Sequence, residues 1–209
     1  MDTHAKHQPK TKYTSGQALA RLKEGNARFL NGEARFPTVQ KEVLAELARG
    51  QEPFAMVLGC SDSRVPPELL FDASFGQLFV VRVAGNVLGP ATAGSIQYAS
   101  VYLGTPLLVV LGHDGCGAVE AAINEKFHGA THHSRVGYLL EEIFPALDGL
   151  DPNLDHDAQL EAGVDANIRE TVRRLRESPE MQARMAAGDD RKVVGAVCEL
   201  ATGRVRFLD

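Results

Sequence analysis

Apolar positions along the chain alternate between a helical period and short unbroken runs. Leu19, Leu22, Phe29 and Leu30 share one helical stripe downstream of Thr14-Ser15-Gly16-Gln17. There Thr14 can cap a helix while Gln17 reaches back to close a capping box. That helix stops near Gly32, and a second, short one is expected over 39–48, ending at Gly50. Unbroken apolar runs predict strands at 54–58, 78–83 and 107–111. The second of these, β-branched and aromatic, reads as a strand buried on both faces. Pro66-Pro67 suits the first turn of a short helix. Pro90 and Gly104 bracket a helix that turns Ile96, Ala99 and Leu103 inward, and Cys116 opens another, reaching Lys126.

Further on, Ser134 caps a helix with the stripe Val136, Leu139, Leu140, Ile143, Phe144 and Leu147. An acidic, proline-containing loop over 149–157 leads to a long helix marked by Leu160, Val164, Ile168, Val172 and Leu175. Ser178-Pro179-Glu180 starts a short helix that Gly188 ends. Strands at 192–200 and 204–208, joined by a hairpin turn at Ala201-Thr202-Gly203, close the pattern. Strands alternating with helices predict an α/β fold. Its mostly parallel sheet has about four parallel strands plus an antiparallel edge strand, flanked by helices. Residues 1–13 read as a polar tail and 14–209 as a single α/β domain, a size for which one domain is the best prior. His4 and His7 in the tail read as solvated side chains.

Composition excludes more than it selects. With 44% hydrophobic and 23% charged residues the chain is ordinary for a globular protein. A net charge of -5 without a basic cluster offers nothing to nucleic acid or anionic lipid. No apolar stretch approaches a membrane span, and residues 1–6 lack the apolar core of a signal peptide, so a cytoplasmic location is expected. Three cysteines imply no disulfide framework. Cys198, inside an apolar run, reads as a small buried hydrophobe.

The chemistry gathers in two stretches. Cys60-Ser61-Asp62-Ser63-Arg64 follows the first strand, and His113-Asp114-Gly115-Cys116 follows the third. Two Cys and one His are good ligands for Zn²⁺, and a catalytic zinc keeps three protein ligands and one open position. Open α/β sheets carry their sites beyond the carboxyl ends of the strands, where these residues fall. Cys116 also opens a helix, whose positive dipole end favours thiolate. We read one zinc per chain on Cys60, His113 and Cys116, with Asp62 a fourth ligand open to a closed state. Asp62 and Arg64 otherwise make a carboxylate–guanidinium pair able to hold a fixed bidentate geometry.

These two stretches, in this order, resemble the β-class carbonic anhydrases. The likeness extends from Ala18-Leu19 and Glu24-Gly25-Asn26-x-Arg28-Phe29 to the last strand. The resemblance implies reversible hydration of carbon dioxide to bicarbonate and a proton, zinc hydroxide being the nucleophile. In it Asp62 accepts a hydrogen bond from that hydroxide, and Arg64 orients Asp62 and keeps it off the metal. It implies a substrate pocket with Gln51 as donor, Phe79, Ala84 and Tyr98 as walls, and the backbone N–H of Gly117. That pocket is shared between subunits, so a homodimer follows, with a dimer of dimers as further association. Val57 stands where a subset of the family has a tryptophan of an inhibitory bicarbonate site, although Gly59 fits that subset. Tyr102 stands where some members carry a proton-shuttling histidine. His128, His132, His133 and His156 read as solvent-facing.

Three alternatives compete. The same site could hydrolyse carbonyl sulfide or carbon disulfide, and the motifs do not separate these gases from carbon dioxide. A non-catalytic, zinc-stabilised scaffold would need the cysteines and histidine but not Asp62 and Arg64. A nucleotide-binding module lacks both Gly-x-Gly-x-x-Gly and a P-loop after any strand.

Overall fold

The computed structural model describes residues 12–35 and 41–208. Most of the expected tail, with His4 and His7, lies outside the described residues, as does Val39.

Helix α1, Ser15–Leu30, begins as its sequence directs. The Thr14 hydroxyl accepts from the Gln17 backbone, and the Gln17 side chain accepts from the Thr14 N–H. Its inner face is Ala18, Leu22, Gly25 and Asn26, with Leu19 and Phe29 half-buried. Gly25 is there for space: a Cβ would stand 1.9 Å from the carbonyl oxygen of Phe71. Asn26 donates to the carbonyls of Leu70 and Gly203 and accepts from the N–H of Val205. Arg28 pairs with Asp72 at 2.6 Å. One turn of helix thus ties down two distant segments through a glycine, an amide and a guanidinium.

After α2, Lys41–Leu47, come β1, Ala55–Gly59, α3, Pro67–Leu70, and β2, Leu78–Arg82. Then follow α4, Pro90–Tyr102, β3, Leu107–His113, α5, Gly117–His128, and α6, Arg135–Glu141. The chain closes with α7, His156–Arg176, α8, Pro179–Ala186, β4, Lys192–Cys198, and β5, Val205–Leu208. The five strands lie in the order β2-β1-β3-β4-β5, parallel except for β5, which pairs antiparallel with β4. The expected sheet is therefore the one observed. Strands β1 and β3 are buried throughout, with α4 packed against β1 and α1 and α7 against β3. Cys198 is buried at the end of β4, as expected of a small hydrophobe.

Two expectations fail. The run at 78–83 is not a central strand: β2 is the edge of the sheet, and Leu78 to Val81 are only half-buried. The stripe from Val136 to Leu147 is not one helix. α6 ends at Glu141 and a 3₁₀ turn, Phe144–Leu147, takes over, because Pro145 has no N–H to continue an α-helix. Leu140, Ile143 and Leu147 still reach the core, while Val136 is exposed.

Candidate active site

Strands β1 and β3 are neighbours and parallel, with Gly59 opposite Leu111. Their carboxyl ends therefore deliver Cys60 and His113 to the same place. Gly115, at φ 59°, turns the chain so that Cys116 becomes the N-cap of α5. The three side chains are buried, at 5%, 0% and 2% exposure for Cys60, His113 and Cys116. Their ligand atoms lie within 4.8 Å of one another. The carbonyl of Asp114 accepts a hydrogen bond from His113 Nδ1 at 2.7 Å, so in the neutral ring Nε2 carries the lone pair. This Nε2 is buried and has no hydrogen-bond partner among the described residues. An orphaned imidazole nitrogen between two soft sulfurs fits a zinc ion, for a buried acceptor left unmade is otherwise a standing cost.

The thiols titrate as a pair. A hydrogen bond from Cys116, working against burial, pulls the Cys60 thiol down, and His113 and backbone groups of Asp62 and Gly85 assist. Cys116 is pushed up by that same bond to Cys60 and by its own burial, while backbone groups of Ala118 and Val119 in the first turn of α5 oppose the shift. The two thiols thus share their protons unequally, Cys60 shifted down and Cys116 up.

Beside the cluster, Asp62 and Arg64 form a two-point pair. Arg64 Nε donates to Oδ1 at 2.9 Å and Nη2 to Oδ2 at 2.7 Å, and the Arg64 backbone N–H adds a third bond at 2.9 Å. The Arg64 side chain and then its backbone N–H hold the Asp62 carboxyl well below the usual carboxylate range. Asp62 Oδ2 is 3.8 Å from His113 Nε2, so the carboxylate borders the cluster.

Of the expected pocket residues, Phe79 and Tyr98 come together, with ring centroids 6.3 Å apart. Tyr102 stacks on Tyr98 at 5.1 Å. Ala84 is half-buried at the start of the 3₁₀ turn Ala84–Asn86, and Gly117 is exposed at the start of α5. Gln51 is not brought to the cluster. It is exposed in the segment before β1, whereas Cys60 follows the other end of that strand. His128, His133 and His156 are exposed as expected; His132 is half-buried and bonded to Glu125.

Two residues of the site, Arg82 and Asn167, have no motif to announce them, and Asp114, inside the second motif, has a partner that the motif does not announce. Arg82 donates from Nε to the carbonyl of Cys60 at 2.9 Å and from Nη2 to that of Asp62 at 2.5 Å. Asn167 of α7 donates to the carbonyl of Gly85 at 2.9 Å. Asp114 accepts from the N–H of Leu200 at 2.7 Å, tying the second ligand loop to the end of β4. All three bond backbone groups, which any sequence presents, so only position in the fold identifies them.

A family model described as carbonic anhydrase matches residues 55–205. The chain is similar to a carbonic anhydrase of Mycolicibacterium smegmatis, 41% identical over 187 residues, 89% of each chain. It is similar also to carbonic anhydrase 2 of Mycobacterium tuberculosis, 38% identical over 193 residues, 90% of each. Among solved structures, the Coccomyxa β-carbonic anhydrase in complex with acetazolamide superposes with a TM-score of 0.73 at 26% identity, covering 91% of this chain and 86% of that one.

Proposed function

The chain belongs to the β-class carbonic anhydrases, and on that premise we propose that Cys60, His113 and Cys116 hold one zinc ion while Asp62 and Arg64 serve the reversible hydration of carbon dioxide. The observation that carries this reading is the buried meeting of two thiols and an unpartnered imidazole nitrogen beside a doubly held carboxylate. When bound, zinc supplies Lewis acidity that makes water a nucleophile near neutral pH, an effect for which carbonic anhydrases are the standard example.

Asp62 stays ionised because Arg64 bonds both of its oxygens. It therefore accepts a hydrogen bond and does not store a proton. Its Oδ2, the oxygen nearer His113 Nε2, is the acceptor that aims the lone pair of the attacking water. Arg64, locked in a planar two-point pair, keeps the carboxylate from turning onto the metal. Arg82 fixes the backbone on which both act. Phe79, Ala84 and Tyr98 offer carbon dioxide apolar walls, and the Gly117 N–H offers a donor.

Gln51, the remaining donor, stands too far along its own chain to serve its own cluster, so it serves the partner's. The working unit is then a homodimer, with a dimer of dimers open to it. The half-buried edge strand β2 and the exposed Phe75, Tyr98 and Tyr102 support a covering subunit there. Among the described residues no helix is long and apolar enough to cross a membrane.

Stopped-flow hydration of carbon dioxide by zinc-replete protein tests the reading, with carbon disulfide offered to the same sample. Rapid hydration, one zinc per chain, and loss of both in Cys116→Ser are expected. Carbon disulfide consumption without hydration of carbon dioxide would overturn the substrate, and full zinc retention in Cys116→Ser would remove that ligand.

A further inference from the structure

A cavity of about 260 Å³ opens between α4, the end of α7, α8 and the starts of β3 and β4. None of Cys60, Asp62, His113 and Cys116 lines it. Its floor is the apolar face of the sheet and its helices, chiefly Met56, Ile96, Leu108 and Leu175. It has room for about nine water-sized groups, enough for a chain of several methylenes.

One end of this cavity is polar. Thr105 lines it, and its hydroxyl is fully buried without a hydrogen-bond partner among the described residues. The Thr105 N–H bonds the carbonyl of Ala99, and the next carbonyl, of Ser100, accepts from Arg191 Nη1 at 2.6 Å. Thr105 and Arg191 thus bond successive carbonyls at the end of α4, and Arg191 Nη1 also donates to the Ser100 hydroxyl at 2.8 Å. The Arg191 side chain is only 8% exposed. Its ion-pair partner, Asp189 at 3.3 Å, is shared with Arg184 at 3.5 Å, and the Asp190 carboxylate is also close enough to act on it. The lining carries Arg184, Arg191 and Lys192 against a single acid, Glu180. Burial, and then the nearby Arg184, pull the Arg191 guanidinium below its ordinary pKa against the opposing pull of Asp189 and Asp190.

We propose that this cavity binds a monocarboxylate with an apolar tail, its head on Arg191 and Thr105 and its tail along Met56, Ile96 and Leu108. A planar carboxylate matches the guanidinium and can also take the Thr105 hydroxyl proton as a hydrogen bond. The lining's three cations against one acid, with the carboxylates of Asp189 and Asp190 close behind them, suit one negative charge and disfavour two. The tail replaces water on an apolar floor.

Octanoate is the probe, titrated calorimetrically into the full-length protein beside octan-1-ol, which keeps the tail and lacks the charge. Octanoate should bind saturably, once per chain, and at least about tenfold more tightly than the alcohol, as a charged hydrogen bond requires. Gly94 stands at the rim, and a Cβ added there meets nothing within 4 Å. Gly94→Leu should fill the mouth and abolish octanoate binding while leaving carbon dioxide hydration and the thermal midpoint in place. Thr105→Val, nearly the same shape, should weaken octanoate several-fold and leave octan-1-ol unchanged. Absence of saturable binding, equal affinity for acid and alcohol, or octanoate binding that survives Gly94→Leu would each overturn the proposal.

Discussion

The guanidinium of Arg82, at the end of the edge strand, lies 2.9 Å from the carbonyl oxygen of Cys60, on the neighbouring strand's first ligand loop. A second bond, to the carbonyl of Asp62, makes the contact a clamp across the loop. The loop that carries a thiol, a carboxylate and a guanidinium is thus set by a fourth side chain that bonds its main chain.

Arg82→Met removes the clamp and keeps the length of the side chain. The carboxylate should lose its aim, and kcat for carbon dioxide hydration should fall about ten- to a hundredfold, in line with the cost of small misplacements. Zinc content should stay at one per chain, since His113 and Cys116 are placed by β3 and α5, away from the clamp, and Cys60 directly follows β1. Loss of zinc in parallel with activity would assign Arg82 to the metal instead.

Arg64→Ala takes away the largest cause of the depressed Asp62 pKa. The carboxyl then returns towards the ordinary value of about 3.9, still ionised in the working range, but free to turn towards the metal. Competition from water is weakest in acid, so the loss of activity should be greater at mildly acid than at mildly alkaline pH. A pH–rate profile decides this, and an equal loss at every pH would refute the restraining role of Arg64.

Asp72 has a buried side chain paired with Arg28 at 2.6 Å and accepting the Arg35 N–H at 2.8 Å. Burial alone would raise its pKa, but Arg28 and the Arg35 N–H together leave it lowered. A depressed folded-state value stabilises above the unfolded pKa and is lost as pH falls through the folded one. Asn tolerates the positive φ of 45° at this position. Asp72→Asn should therefore cost about 1–3 kcal/mol at neutral pH. Urea titrations should show that gap closing below the ordinary carboxylate pKa of about 3.9. A gap independent of pH would mean that the charge contributes nothing.

Val80→Lys puts a charge on the half-buried edge strand. Sedimentation should find monomers, and hydration activity should fall with the loss of the shared pocket. A fully active monomer would refute a donor supplied by the partner.

Much of this was legible in the sequence because the signals were local. The Thr14–Gln17 box, the Ser134 and Ser178 caps and the strand ends at Cys60 and His113 each depend on a few adjacent residues. Pro145 was equally local, yet the apolar stripe around it carried the stronger pattern and hid the break. The misjudged strand shows a different limit. Leu78 to Val81 read as interior because such a run is meant to be covered, and a sequence does not say whether its own chain does the covering. Arg82, Asn167 and Asp114 were illegible for a third reason, since their partners are main-chain atoms brought near only by the finished sheet.

The pairing of β1 with β3 has a consequence for how the site comes into being. Side chains alternate across a strand, so slipping β3 by one residue would turn His113 away from Cys60. The three ligands can meet only in a chain whose central strands have already found their true alignment. Such non-local pairing is late and slow to form. A metal held at the proposed site would therefore act as an inspector of the sheet: a chain able to capture it would, by that act, have passed a test of correct assembly.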